Sequence, residues 1–168
     1  MKKVLLVLAV LGSYVSYGQN SIKLNYSKDA FTDKESLRVE QSFLVSDDSG
    51  KKGFILKPSF EKDGSKWKYG YTFGISTVGS CFENDKIYFI FDDGTKFEMK
   101  SWNDFNCKGN SSFDLYGAYR NELSKSIKAV KFVNGRSYDS FEKVLTKAED
   151  KNYFINCFKA LDDYNSKN

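Results

Sequence analysis

Apolar and polar residues alternate along much of the chain between residues 21 and 101, and this period of two is typical of β-strands. Residues 22–26 and residues 37–45 are the first two strand candidates, and the polar residue Gln41 interrupts the apolar face of the second. Because sequential strands joined by short turns pair antiparallel, the pattern predicts a mainly β fold, either an antiparallel β-sandwich or a partly open barrel.

The first clear hairpin turns at Asp63-Gly64, a dipeptide suited to a two-residue turn. Closing that turn with Lys62 opposite Ser65 places the large apolar residues of both strands on one buried face. The predicted pairs are Phe60 with Trp67, Pro58 with Tyr69, Leu56 with Tyr71, and Phe54 with Phe73. Since Pro58 has no N–H to donate, we expect its strand at a sheet edge or with a bulge at that position.

A second hairpin turns at Gly94. A three-residue loop with Gly94 in the left-handed conformation aligns Phe89 with Phe97, whereas a two-residue loop sets apolar residues against charged ones. Tyr88 and Ile90 make the reverse face of the same strand partly apolar. The pattern therefore predicts a central strand that is covered on both sides.

The chain has three cysteines, so at most one pair can bond within it. Extending the second hairpin backwards brings residue 81 close to residue 105, and Cys107 follows two positions later. We therefore predict a structural Cys81–Cys107 disulfide, which closes a loop of about 25 residues and stabilises the fold by ~3 kcal/mol in the chain-entropy model. Cys157 lies on an apolar helical stripe and is expected to be a buried free thiol.

The C-terminal part changes to a helical period. Apolar residues at i, i+3, i+4 and i+7 are Phe154, Cys157, Phe158 and Leu161. This stripe predicts one C-terminal amphipathic α-helix packed on the sheet, and Thr146 with Glu149 fits a capping box at its start. Residues 102–112 are predicted as a loop and residues 127–133 as a strand, whereas residues 137–145 fit either a returning strand or a first helical turn.

The N-terminus has the three parts of a Sec-type export signal. Two lysines come first, residues 4–11 are uninterruptedly apolar, and the small residues Ser16 and Gly18 precede a cleavage site. The apolar run is much shorter than the ~20 residues that cross a membrane. This predicts a cleaved signal peptide over residues 1–18 and a single β-rich domain over residues 19–168, exported to the periplasm or the extracellular space with no transmembrane segment left.

Composition and charge exclude several kinds of chemistry. The 168 residues contain no histidine, which removes Ser-His and Cys-His catalysis and His-ligated zinc. Removal of the leader takes away two lysines and no acid, so the formal net charge falls from +4 to +2, too little to favour nucleic acid. The segment starting at Asp104 resembles a calcium loop only until Lys108 takes a ligand position. The sequence therefore indicates no cofactor, no metal site and no catalytic residues.

One cluster remains as a candidate binding site. It consists of Trp102, Asn103, Asp104 and Phe105, in the predicted loop at the open end of the disulfide hairpin. If the rings are exposed, they can pack against a sugar or a peptide while the neighbouring polar groups hydrogen-bond it. If they are buried, the same rings plug the core.

The preferred functional hypothesis is a non-enzymatic binding or interaction module, with a glycan, a peptide or a protein as its partner. One alternative is a hydrolase using carboxylates or a Ser–Lys pair, which a deep polar cleft would favour. A second alternative is a structural or envelope-assembly protein, which an exposed apolar edge beside Pro58 would favour. A shallow aromatic surface near Trp102 would favour binding.

Overall fold

A computed structural model describes residues 21–168, in which the backbone forms ten strands and three helices. The first five strands are β1 (Leu24–Lys28), β2 (Glu35–Val39), β3 (Phe43–Ser46), β4 (Gly53–Asp63) and β5 (Lys66–Ser76). The other five are β6 (Lys86–Phe91), β7 (Lys96–Lys100), β8 (Asn110–Asp114), β9 (Ile127–Val133) and β10 (Ser140–Val144). The helices are α1 (Gly117–Leu123), α2 (Ala148–Lys151) and α3 (Tyr153–Lys167). The predicted leader lies outside the described residues.

The strands form two antiparallel sheets, which confirms the mainly β fold class. The six-stranded sheet has the order β1-β2-β4-β5-β8, with β3 also paired to β4, and the four-stranded sheet has the order β10-β9-β6-β7. The sheets pack as a sandwich without closing into a barrel. Their shared core includes a contact between Phe54 of one sheet and Phe132 of the other, with ring centroids 5.7 Å apart.

The predicted C-terminal helix is confirmed as α3, which packs against both sheets. Phe154 contacts Phe43 on the six-stranded sheet and Phe89 on the four-stranded sheet, with centroids 5.7 and 6.0 Å apart. All four residues of the predicted apolar stripe are buried. None of the helices in residues 21–168 is long and apolar enough to cross a membrane.

The turn between β4 and β5 differs from the predicted one. Asp63 pairs with Lys66, so the two turn residues are Gly64 and Ser65, and a β-bulge interrupts the ladder after Glu61. Beyond the bulge, the register is shifted by an odd number of residues relative to the prediction. Because successive strand side chains point to opposite faces, this shift exposes the face of β5 that the prediction buries.

The small residues of β5 point to the core instead. They are Gly70, Thr72, Gly74 and Ser76, and the outward set comprises Tyr71, Phe73 and Ile75. Close packing is the physical reason, because a Cβ on Gly70 would lie 1.7 Å from the carbonyl oxygen of Ser59. A Cβ on Gly74 would lie 3.0 Å from the ring of Phe113. The backbone of β4 at Gly70 and the Phe113 ring at Gly74 therefore leave no room for larger inward side chains at these two positions.

The prediction for Pro58 is wrong, because β4 is an internal strand and its bulge lies elsewhere. The pairing of β2 with β4 ends at Ser59, and the pairing of β3 begins at Leu56. Pro58 thus lies at a gap between two neighbouring strands. A residue without an N–H is tolerated there for the same reason as at an edge.

The β6–β7 hairpin has the predicted register, with Phe89 opposite Phe97 and Gly94 at a φ of +82°. As expected, β6 is an internal strand. Its outer face is not covered, however, because Ile90 is 36% exposed and Tyr88 is only partly buried. The expectation of cover on both sides is therefore wrong.

Two further local predictions are wrong, and one open alternative is decided. The candidate strand over residues 37–45 is split at Gln41 into β2 and β3. The capping box is absent, since neither α2 nor α3 has a side-chain cap, and α1 was not predicted. Residues 137–145 contain the strand β10, which decides between the two alternatives left open by the sequence.

Candidate functional site

The predicted disulfide anchors the loop that carries the candidate residues. Cys81 and Cys107 are bonded, and Cys157 is a free, buried thiol, so both cysteine predictions are confirmed. Next to the disulfide, the N–H groups of Phe82 and Asn106 donate to each other's carbonyl oxygens at 2.6 and 3.0 Å. The loop between β7 and β8 is therefore tied to the segment that precedes β6.

Two buried polar residues hold that preceding segment in place. The Asp85 carboxylate accepts hydrogen bonds from the hydroxyl of Ser111 and from the N–H of Gly135, the latter at 2.9 Å. The Asn134 amide donates to the carbonyl oxygens of Val78 and Cys81 at 3.0 and 2.9 Å. Since buried polar groups need partners, these bonds fix the backbone around the disulfide.

Trp102 extends the six-stranded sheet beyond β8. Its N–H donates to the carbonyl oxygen of Ser112 at 3.0 Å, and the preceding residue, Ser101, pairs with Phe113. The side-chain carbonyl of Asn103 accepts the N–H of Ser112 at 2.8 Å. Because directly opposite residues of antiparallel strands share a face, Trp102 lies on the outer face with Ser112.

The four candidate residues have separate positions. Trp102 is 59% exposed and Phe105 is 50% exposed, so the alternative in which these rings plug the core does not apply. Asn103 uses its amide within the loop, also donating to the carbonyl oxygen of Asp104 at 2.9 Å. Phe105 lies under the guanidinium of Arg136, 4.8 Å from its ring centroid. Trp102 is thus the candidate residue that joins the outer face of the six-stranded sheet.

That face carries an apolar surface, which we call the outer platform. It consists of Leu44, Ile55, Tyr71, Phe73, Ile75 and Trp102. Phe73 lies opposite Ser112, and Trp102 lies beyond Ser112 in the same row across the strands. Two strand spacings therefore separate Phe73 from Trp102, a distance of about 10 Å between their backbones.

A second row of the outer platform runs parallel to the first. Leu44 lies opposite Ile55, Ile55 opposite Ile75, and Ile75 opposite Asn110. Leu44 is 58% exposed, while the two isoleucines are partly buried. The outer platform is therefore a shallow apolar sheet face bordered by polar side chains.

Sequence reasoning missed the β5 part of this surface. Tyr71 and Phe73 were assigned to the core because the predicted turn had the wrong residues. The signal that points the other way is the alternation of Gly70 and Gly74 with these rings, since only one of the two sets can face the tightly packed core.

A polar group with a perturbed pKa borders the outer platform. Asp114 lies opposite Tyr71, and partial burial raises the pKa of its carboxyl above the ordinary value. The neighbouring Tyr116 hydroxyl opposes that rise. Ser59, on the other side of Tyr71, is buried and its hydroxyl has no partner among the described residues.

The adjacent carboxylates Asp92 and Asp93, which a hydrolase could use as an acid/base pair, have structural partners. Asp92 accepts hydrogen bonds from Ser126 and ion-pairs with Lys151 at 2.8 Å, and Asp93 accepts the hydroxyl of Thr95. Within residues 21–168 no group of three His, Cys, Asp or Glu side chains is arranged to hold a metal ion.

Two Ser-x-x-Lys spacings, at Ser59 and at Ser140, do not form a Ser–Lys catalytic pair. Ser140 and Lys143 are three positions apart on β10, so their side chains point to opposite faces, and Lys143 donates to the carbonyl oxygen of Ser46. Ser59 is buried, and Lys62 ion-pairs with Glu35 at 2.6 Å.

The outer face of the four-stranded sheet also forms a shallow groove, of about 740 Å³. Ile90, Ala129 and Val144 form its apolar floor. Several charged residues at its margin are paired, as in the 3.3 Å contact between Lys131 and Glu142. The outer platform differs because it presents a large exposed ring, that of Trp102.

Comparison with known proteins finds no matching family, no matching curated protein and no matching solved structure. The function is therefore argued from the geometry of the chain itself.

Proposed function

We propose that the protein is an exported, non-enzymatic binding module that holds a glycan on the outer platform. The observation that carries this proposal is the row formed by Phe73, Ser112 and Trp102 on an open sheet face. Sugar rings present flat C–H faces that pack on aromatic side chains, and their hydroxyl groups hydrogen-bond neighbouring amides and carboxylates. Asn110 and Asp114 supply such groups beside the row.

The backbone around Trp102 favours a glycan over an extended peptide. Peptides that bind sheets usually add a strand to an exposed edge, using its free N–H and C=O groups. At this edge the N–H and C=O of Ser112 are already bonded, to Asn103 and Trp102 respectively. The outer platform therefore offers a face for stacking at a point where strand addition is blocked.

Export is supported by the disulfide, because such bonds form and persist in oxidising compartments. The proposal places the mature protein in the periplasm or the extracellular space, where polymeric glycans are accessible to it.

A glycan array probed with the mature protein and its Trp102→Ala variant tests the proposal. We expect retained glycans to be lost with Trp102→Ala and kept with Phe31→Ala, a control that removes a 98% exposed ring from the β1–β2 turn. Circular dichroism verifies that all three proteins are folded. Absence of any retained glycan, or equal retention by the Trp102→Ala variant, would refute the proposal, and turnover of a retained glycan would favour the hydrolase instead.

A further inference from the structure

Two cations without ion-pair partners among residues 21–168 lie at one side of the outer platform. Lys57 lies opposite Phe73, in the same row as Trp102. Arg38 lies opposite Ser59, which in turn lies opposite Tyr71. Both side chains are exposed, so the β2–β4 side of the face is positively charged and the β8 side is aromatic.

Among the described residues, none of the acids on the same face forms an ion pair with Arg38 or Lys57. Glu40 follows Arg38 by two positions and lies opposite a further exposed cation, Lys23. Glu61 ion-pairs with Lys34 at 3.0 Å. Asp114 lies beyond Tyr71, on the side of the face opposite Arg38. The row therefore begins with a cation at Lys57 and continues through two aromatic positions, so it is complementary to a ligand that combines sugar rings with negative charge.

We propose that the outer platform takes an acidic glycan, whose carboxylate or sulfate groups bind Lys57 and Arg38 while its sugar rings stack on Phe73 and Trp102. This inference rests on the proposed function and specifies its ligand class. Lysine and arginine serve different roles in it, because Arg38 can bind an anion through two parallel N–H groups whereas Lys57 offers a point charge.

Titration calorimetry with three probes tests the inference: polygalacturonate for carboxylates, heparin for sulfates, and cellohexaose as a neutral glycan. We expect at least one acidic probe to bind more tightly than cellohexaose. In the Lys57→Gln/Arg38→Gln variant its affinity should fall about tenfold at low salt, with a weaker dependence on ionic strength, because exposed charges act through screened electrostatics.

A matched control is Lys159→Gln/Lys167→Gln, which removes the same net charge from α3, away from the outer face. This control should bind the acidic probe as the unmodified protein does. An equal loss of affinity in the control would mean that net charge alone explains the effect, and it would overturn the inference.

The outcomes separate the inference from the proposed function. Binding of cellohexaose alone, abolished by Trp102→Ala, would overturn the acidic-ligand inference and leave glycan binding standing. Failure of all three probes, together with an empty glycan array, would contradict both. Preference between polygalacturonate and heparin distinguishes carboxylate from sulfate recognition.

Discussion

At the scale of single residues, the hydroxyl groups of Thr72 and Thr77 have opposite effects on stability. Thr72 is fully buried in β5 and its hydroxyl has no partner among the described residues. The Thr77 hydroxyl accepts the N–H of Gly53 and donates to the carbonyl oxygen of Lys51, both at 3.0 Å. A buried hydroxyl without a partner costs free energy, whereas a bonded one contributes.

Thr72→Val should therefore raise the free energy of unfolding by about 1 kcal/mol, because the methyl group replaces an unsatisfied hydroxyl at nearly constant shape. Thr77→Val should lower it by about 1 kcal/mol, since two hydrogen bonds are lost. Urea denaturation of both variants measures the difference. A loss of stability in Thr72→Val would mean that its hydroxyl has a partner in solution.

Because Cys157 is buried, the free energy of unfolding should decrease at alkaline pH. Burial raises the pKa of the Cys157 thiol from 9.0 to about 12, although the neighbouring Tyr153 hydroxyl opposes the rise. The folded protein then keeps a proton that the unfolded chain releases, so stability is unaffected below the unfolded pKa and falls as pH rises from about 9 towards 12. Burial also raises the pKa of Tyr153, which adds to the fall at higher pH.

We expect Cys157 to lower the free energy of unfolding by no more than about 1.4 kcal/mol per pH unit. This limit is roughly the free energy that corresponds to one unit of pKa difference. Denaturant midpoints between pH 8 and pH 10.5 measure the slope. Cys157→Ala removes the thiol and should flatten the curve, whatever its effect on stability at pH 8. Parallel curves for the two proteins would contradict a buried, protonated thiol.

At the scale of elements, β5 depends on glycine at its contact with β4. Gly70→Ala should destabilise the protein by about 3 kcal/mol or more, because the new Cβ would meet the Ser59 carbonyl oxygen in a rigid ladder. Gly117→Ala, in the first turn of α1, has no heavy atom within 4 Å of its Cβ and should stabilise by about 0.5 kcal/mol. Thermal unfolding compares the two, and a tolerated Gly70→Ala would contradict the register of β4 and β5.

The two hairpins show which elements the sequence can predict. For β6–β7, only one loop length aligns Phe89 with Phe97, so the hydrophobic pattern was sufficient. For β4–β5, the Asp63-Gly64 dipeptide suggested a plausible turn, but a neighbouring turn and a bulge after Glu61 give a better-packed sheet. Bulges depend on tertiary packing, which the local pattern of a single strand does not contain.

The short elements could not be predicted from the local sequence pattern either. The helix α1 has seven residues and one buried side chain, Leu123, so its amphipathic signal is weak. Residues 37–45 are divided into β2 and β3 around Gln41, whose backbone carbonyl accepts the Tyr153 hydroxyl at 2.6 Å. That contact spans more than a hundred residues and is set by the packing of α3.

At the scale of the whole molecule, the candidate site was predicted in part. Hairpin geometry was enough to predict the Cys81–Cys107 bond, and the composition of the loop pointed to Trp102. Predicting the outer platform requires knowing which face of β5 is turned outward. If the two faces are exchanged, Phe73 is placed in the core. The outward orientation of Phe73 therefore decides whether Trp102 is an isolated exposed ring or part of an aromatic surface.

The most direct test of this account is the stability of Phe73→Ala beside that of Phe113→Ala, from the adjacent strand β8. Phe113 is 0% exposed, and its truncation should cost about 4 kcal/mol, the usual range for a core phenylalanine. Phe73 is partly exposed on the outer platform, so its truncation should cost about 1 kcal/mol by the loss of partial burial. Equal losses in urea denaturation would place Phe73 in the core and contradict the outer platform.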